Sequence, residues 1–387
     1  MVKRDQIHGD IQFSDAEMKL ITSKSFERMR YIKQLAFAEY AYPGASHNRY
    51  QHSLGVCQCV TDMYNAVCRN SPEFYREGDL ELLRMMALVH DLGHSPFSHA
   101  SEELSDITHE QRLTSILQLE KKNIILASDY NIEAWDLVNQ VYLGEGMEYM
   151  SDPHLIALHG FMDGFIDADK LDYIERDAIN CGVGYGKFDR EGLVNNLMIY
   201  KDDNGIEHIA IRNEGVQALE GFILARYYMF SQVYMHPQER LMRMLYCDEM
   251  KKLLPNGKYP DDVRKFLQLD DTKFARKLNF LNKLPYTLIY DDEFDLETKQ
   301  LIDRKFKNMV ICDTPRKQIF RSSQDDETVY VVNSLTGNAV PCSKASPILR
   351  GIECASVHKL RYYTSTLYAK EIQVELNKVL SSRKVGR

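Results

Sequence analysis

The stretch that decides the reading is Met85-Met-Ala-Leu-Val-His90-Asp91-Leu-Gly-His94-Ser-Pro-Phe-Ser-His99. Its first five residues end a helical pattern that begins after Asp79, with Leu80, Leu83, Ala87 and His90 on neighbouring turns. His90 and Asp91 close this apolar run. Burying two adjacent polar side chains there is costly unless they are paired or bound to a metal. Gly93 follows at once and can end the helix. Imidazole and carboxylate together suit a divalent transition metal such as Fe, Mn, Zn or Ni. Adjacent ligands cannot complete a site, so the remaining ligands must come from other helices.

One helix earlier, Val56, Val60, Met63, Tyr64 and Val67 recur at helical spacing, and His52, close to Arg49, sits at the start of that pattern. Further on, Phe165-Ile-Asp-Ala-Asp169-Lys170-Leu-Asp-Tyr173 continues to Arg176 and Asp177. Asp169, Asp172, Tyr173, Arg176 and Asp177 share one helical face. A solvated acidic stripe is the plain alternative, but apolar residues and a tyrosine are interleaved and no opposing lysine row appears. Half of the twelve histidines, His47, His52, His90, His94, His99 and His109, fall in one sixth of the chain.

Around this centre the 387 residues predict a large helical region, about 1–255, and a smaller α+β lobe, 256–387. Residues 1–13 read as extended, Ser14 to Glu17 as a capping box, and Ser25 to about Tyr40 as a helix broken by Pro43-Gly44. Helical patterns run through 110–178 and 214–254. The character changes at Pro255-Asn-Gly-Lys-Tyr-Pro260, followed by Met309-Val-Ile-Cys312 and by Thr328-Val-Tyr-Val-Val332, which turns at Thr336-Gly-Asn338 as a hairpin would. A last helix is expected over Tyr368 to Leu380. With 44% hydrophobic and 27% charged residues, and no apolar stretch near ~20 residues, a soluble cytoplasmic protein without a membrane role is the expectation. Eight scattered cysteines read as reduced thiols. A net charge of −8 disfavours a nucleic-acid polymer as partner but leaves small nucleotides open.

The order His52, His90-Asp91, Asp169 resembles the signature of the HD superfamily. Tyr31-Ile-Lys-Gln-Leu35, Pro43-Gly-Ala-Ser-His-Asn-Arg49, His52-Ser-Leu-Gly55, the 90–99 stretch and Thr108-His-Glu-Gln111 resemble its dNTP triphosphohydrolase branch, the SAM-and-HD-domain dNTPases of animal cells. The likeness runs from about Asp5 to Asp177 and, more weakly, to about 245. It implies a mainly α HD-domain bundle, a divalent metal (Fe, Mn, Zn, Ni or Mg) on His52, His90, Asp91 and Asp169, and a deoxynucleoside triphosphate substrate. It further implies Arg49 and Lys170 on the triphosphate. His94, His99 and His109 would lie round the α-phosphate, with His99 orienting water and His109 assisting proton transfer. Gln34, Leu35, Tyr173 and Asp177 would lie about the sugar, and Arg226 and His236 would complete the substrate set. A homo-oligomer is implied too, with an oligomerisation or regulatory role left for the C-terminal lobe. Glu102 stands where the branch has an aspartate. The effector positions have changed more: Thr22, Glu27 and Met1 replace an acid, a glutamine and a basic residue, and Arg30 alone remains. A phosphodiesterase or nucleotidase acting on mono- or cyclic nucleotides or single-stranded DNA is the alternative, as is a weakly catalytic nucleotide sensor.

Overall fold

The computed structural model describes residues 1–126, 133–143, 153–203, 205–278, 285–318, 329–353 and 355–385. Strands β1 (Val2–Asp5) and β2 (Gly9–Gln12) form an antiparallel hairpin. Helix α1 (Asp15–Ile21) opens on the expected capping box: Ser14 accepts the Glu17 N–H and the Glu17 carboxylate accepts the Ser14 N–H. Helix α2 (Lys24–Arg28) is much shorter than the helix expected over 25–40. The chain leaves the helix because its amides are taken by partners distant in sequence. Gln34 N–H donates to His47 O (3.0 Å), Arg49 N–H to Ile32 O (3.0 Å) and Lys33 N–H to the Asp271 carboxylate (2.9 Å), while Ala36 has φ +46°.

Helix α3 (Arg49–Asn70), capped by Asn48, packs between α4 (Asp79–Val89) and α8 (Ala168–Cys181). Before α8 come α5 (His109–Glu120), α6 (Ala134–Leu143) and α7 (Pro153–His159). Val56, Val60, Met63, Leu82, Met86, Leu171 and Ile174 meet in the core with no exposed surface. Gly55 makes the close approach of α3 and α8 possible. A Cβ there would come within 2.0 Å of the Asp172 carboxylate and 2.3 Å of the Arg176 guanidinium. Gly93 has a similar use rather than serving as a helix stop, since α4 already ends at Val89. A Cβ at 93 would lie 2.0 Å from His109 O, so glycine lets α5 sit directly on the 90–99 loop.

Helix α9 (Arg190–Asn195) leads to strands β3 (Leu197–Lys201) and β4 (Glu207–Arg212), which interrupt the helices. Then follow α10 (Val216–Tyr228), a π-helical turn over Met229–Tyr234, α11 (Pro237–Leu253), α12 (Val263–Phe266) and α13 (Asp271–Leu278). The remaining elements are β5 (Tyr286–Glu293), α14 (Leu296–Phe306), β6 (Ile311–Asp313), β7 (Arg316–Gln318), β8 (Tyr330–Val332), β9 (Ala339–Pro341), α15 (Cys342–Ala345), α16 (Pro347–Glu353), β10 (Ser356–Ser365) and α17 (Ala369–Val385). The hairpin read near 336–338 is β8–β9; Thr328 and the residues before it lie outside the described residues. One sheet has the order β5-β10-β6, with β7 also on β10, and is backed by α14 and α17 through Ile302, Phe306, Ile372 and Leu376. The other, β3-β4-β8-β9, draws strands from both sides of residue 255, with β4 and β8 parallel. The fold is mainly α with small sheets. No helix among the described residues is long and apolar enough to cross a membrane.

Candidate metal centre and active site

The three helices α3, α4 and α8 bring the four expected ligands together. His52 Nε2 lies 2.8 Å from Asp169 Oδ1, 3.3 Å from His90 Nε2 and 3.8 Å from Asp91 Oδ2. His90 Nε2 lies 3.7 Å from Asp169 Oδ1 and 3.4 Å from Asp91 Oδ1.

The second ring nitrogens show what this cluster is built to take. His52 Nδ1–H donates to Asp172 Oδ2 at 2.7 Å, and His90 Nδ1–H donates to Ala87 O at 2.8 Å. In neutral imidazoles both Nε2 lone pairs therefore point at each other and at the Asp169 carboxylate. Lone pairs and carboxylates converging in this way need a cation. Burial works against a charge on His52, yet the bonds to Asp169 and Asp172 raise it to about 10. Burial likewise opposes charge on Asp91, but Arg49, His90 and His94 hold its carboxyl well below the usual carboxylate range. Asp169 is also lowered, against its burial, by His52. Tautomers fixed by a carboxylate and a carbonyl behind the ring are how metal-ligating histidines are oriented. His52, His90 and Asp169 place ligand atoms close enough together to fit a divalent ion, with Asp91 beside them and bonded to Arg49.

Behind His52 lies a network that sequence reasoning did not assign. Asp172 accepts from His52, from His8 Nε2 (2.6 Å) and from both arms of Arg176 (2.7 and 2.8 Å); Arg176 also reaches Asp5 (3.0 Å). Asp172 and Arg176 stood out only as members of the acidic stripe. His8, 44 residues from His52, carried no signal beyond its identity.

A second cluster lies beside the first. His94 is buried, 3.3 Å from Asp91, and stacks on His109 (centroids 4.2 Å, 19°), with His99 edge-on at 4.6 Å. Burial and the Arg49 charge push the His94 imidazole well below its ordinary range, so it is neutral. Glu102 accepts from His99 Nδ1 (2.7 Å) and approaches His109 Nδ1 (3.2 Å); burial opposes its charge, but these two rings hold it far below the usual range. His109 Nε2 also lies 3.0 Å from Glu110.

The substrate-binding expectations divide. Lys170 follows Asp169 and is tied to Asp167 and to Gly164 O (2.9 Å); burial pushes its ammonium pKa down but Asp167 raises it overall, so it is a cation. Arg226 is close enough to act electrostatically on both Lys170 and Tyr173, and burial pushes the Tyr173 phenol up to about 12. The buried Nε of Arg226 and Oε1 of Gln34 have no hydrogen-bond partner among the described residues. Leu35 packs on the main core. Arg49 lies on Asp91 (2.7 Å) and Ser98 (2.7 Å). Asp177 has both oxygens engaged, by His47 Nε2 (2.7 Å) and the Tyr234 hydroxyl (2.8 Å). His236 caps α11 and touches the Tyr42 ring, with no described contact to the metal cluster. Of the effector positions, Arg30 is held by Glu27 (2.6 Å) and lies 3.5 Å over the Tyr50 ring.

The HD domain family matches residues 49–153, and its HD-associated region matches 188–289. The chain carries an HD domain. It resembles the dNTP triphosphohydrolase branch of the superfamily, and HD-domain phosphohydrolases are divalent-metal enzymes. The uncharacterized protein YwfO of Bacillus subtilis is 32% identical over 266 residues, 67% of this chain and 57% of that protein. The deoxynucleoside triphosphate triphosphohydrolase SAMHD1 of Mus musculus is 27% identical over 331 residues, 72% of this chain and 50% of its own, and the Homo sapiens protein is 27% identical over 337. The chain thus spans roughly half the length of these curated relatives. A hypothetical protein from Aquifex aeolicus superposes with TM-score 0.81 at 28% identity, over 97% of this chain and 100% of that one. A phosphohydrolase from Bacteroides thetaiotaomicron shares the fold, with TM-score 0.76 at 21% identity over 94% and 99%.

Proposed function

We propose that this HD-domain hydrolase cleaves deoxynucleoside triphosphates at the α-phosphorus, releasing deoxynucleoside and inorganic triphosphate. The observation that favours the reading is that two cations, Lys170 and Arg226, both act on Tyr173 next to Asp169, and that the buried Arg226 Nε has no hydrogen-bond partner among the described residues. Two cations next to a metal-ligand carboxylate suit a chain of phosphates better than a single one.

A divalent ion held by His52, His90, Asp91 and Asp169 would supply Lewis acidity and an acidified water when bound. Lys170 and Arg226 bind and neutralise phosphate oxygens, stabilising charge that grows during transfer. Glu102 fixes the Nδ1–H tautomer of His99, which leaves its Nε2 to orient a water. His109, between Glu102 and Glu110, moves a proton on or off the leaving oxygen. Neutral His94 packs between them and adds no charge. Tyr173 and Leu35 border the sugar and favour deoxyribose, with Gln34 offering an acceptor.

Arg49 bonded to Asp91 supports the alternative, in which fewer cations face the substrate and a monophosphate or diester is cut. Incubation with each dNTP and Mn²⁺ separates the readings. Inorganic triphosphate is expected, and release of pyrophosphate or orthophosphate alone would exclude the proposed cleavage.

A further inference from the structure

Two stretches carry side chains of the proposed substrate set, Lys33–Leu35 with Gln34 and Leu35, and 94–99 with His94 and His99, and both lie outside the α-helices. Phe97 and Ser98 have φ of +61° and +52°, and Ala36 has +46°. Left-handed backbone at residues other than glycine is strained and persists only where the surroundings over-determine it. One side chain from beyond residue 255 holds both stretches. Asp271, in the first turn of α13, accepts the Phe97 N–H through Oδ1 (2.7 Å) and the Lys33 N–H through Oδ2 (2.9 Å). Ser98 closes the link, donating to Lys33 O (2.7 Å) while accepting from Arg49 (2.7 Å). Arg28 adds a tie from His94 O (3.0 Å) to Leu269 O (2.7 Å), just before α13.

Packing alone does not require this carboxylate. Phe37 stacks on Phe97 (4.9 Å) and Phe97 meets Phe274 of α13 (6.4 Å), in an apolar cluster with Met242, Tyr246 and Phe266. An anion buried beside such a cluster is expensive. Burial pushes the Asp271 carboxyl up to about 6, although the two backbone N–H groups and the charges of Lys33 and Arg28 favour the anion. What the carboxylate adds to the aromatic contacts is a fixed spacing between two backbones, since its two oxygens bridge one amide on each side.

We infer that Asp271 is a positioning residue that, from the HD-associated region, fixes how the Lys33–Leu35 stretch, with Gln34 and Leu35, sits against the Phe97–His99 stretch, with His99. This rests on the dNTP reading for its kinetic consequence, but not for the clamp itself. Asp271 itself touches no metal ligand, and the clamp reaches the metal cluster only through Ser98 and Arg49, so its first effect is on fit to the substrate rather than on metal occupancy.

Asp271→Asn keeps the size but turns an NH₂ toward one backbone N–H. Asp271→Ala removes both acceptors, and Asp271→Glu retains two. For Asp271→Asn, Mn²⁺ stoichiometry is expected to stay at the wild-type value. kcat/KM for dATP should fall about 10- to 100-fold, mostly through KM, as expected when bound groups shift by up to an ångström. Hydrolysis of bis(p-nitrophenyl) phosphate, which has no sugar to be held against Gln34 and Leu35, should fall several-fold less than that of dATP. Amide exchange at Lys33 and Phe97 should accelerate, and Asp271→Glu should recover part of the loss. Wild-type exchange at both amides overturns the clamp. Equal loss on both substrates together with lost Mn²⁺ reduces Asp271 to general stability and overturns the positioning role. If the unmodified enzyme releases no triphosphate from any dNTP, the substrate reading fails. The exchange at Lys33 and Phe97 then decides the clamp alone, acceleration supporting it and no change refuting it. Should Asp271→Ala fail to fold, Asp271→Asn and Asp271→Glu carry the test.

Discussion

The two histidine clusters are made of the same residue types and differ in what lies behind them. In the deep cluster the His52 and His90 rings are 1% and 4% exposed, and their Nδ1 atoms are fixed by Asp172 and a backbone carbonyl. In the rim cluster His99 and His109 are 60% and 24% exposed and share the Glu102 carboxylate. The first arrangement gathers two Nε2 atoms and the Asp169 carboxylate at one buried point, where positive charge is favoured. The second leaves rings with access to water and room to exchange protons. On the function proposed above, environment more than residue identity sorts metal ligands from acid–base groups.

The sharpest way to break this division is Asp91→Ala. Loss of one of four ligands should empty the site and take hydrolysis below detection, with helical circular dichroism retained; full metal occupancy in the variant would refute the assignment. In the rim cluster, His109→Gln should cost about 10²–10⁴ in kcat, the usual worth of general acid–base catalysis, while metal content stays at wild type. A parallel drop in bound metal would merge the two clusters into one. Asp172→Asn touches no proposed substrate group, yet it should weaken metal affinity about 10- to 100-fold, as removal of outer partners does. Titration with Mn²⁺ measures it, and an unaltered Kd would deny Asp172 its orienting role.

The smallest effect is one of pH. In metal-free protein His52 is raised from 6.5 to about 10. A folded value above the unfolded one gives stability that is complete below about 6.5 and lost as pH rises through about 10. The melting temperature of the metal-free protein should therefore fall over that window more than that of the metal-loaded protein, in which the cation replaces the proton. Parallel pH profiles would contradict this.

Much of the centre was legible because its ligands sit in local patterns: an apolar helix ending in two polar residues, and a stripe at 169–177 that no solvated surface explains. The structure sorts that stripe finely. Asp169 faces the cluster, Asp172 stands behind His52, and Asp177 is spent on His47 and Tyr234. What was not legible depends on contacts far apart in sequence. The helix expected over 25–40 fails because Lys33 and Gln34 use their amides, and Ile32 its carbonyl, on partners outside any local window. His8 and Asp271 act from 164 and 174 residues away, and neither stands in a local pattern. Arg30 was readable as a survivor of an effector site, but only the structure shows Glu27 occupying its guanidinium.

The parallel pairing of β4 with β8 bears on how the chain is made. Ile211 and Arg212 register with Val331 and Val332, so this sheet waits for residues synthesised long after the helices around His52 have left the ribosome. Until then β4, with Ala210 and Ile211 buried in the finished fold, has an unpaired edge able to pair with another chain. Long-range strand pairing of this kind is slow and exposes such edges during folding. A nascent chain stalled before Tyr330 would have its whole ligand set and still be prone to aggregate.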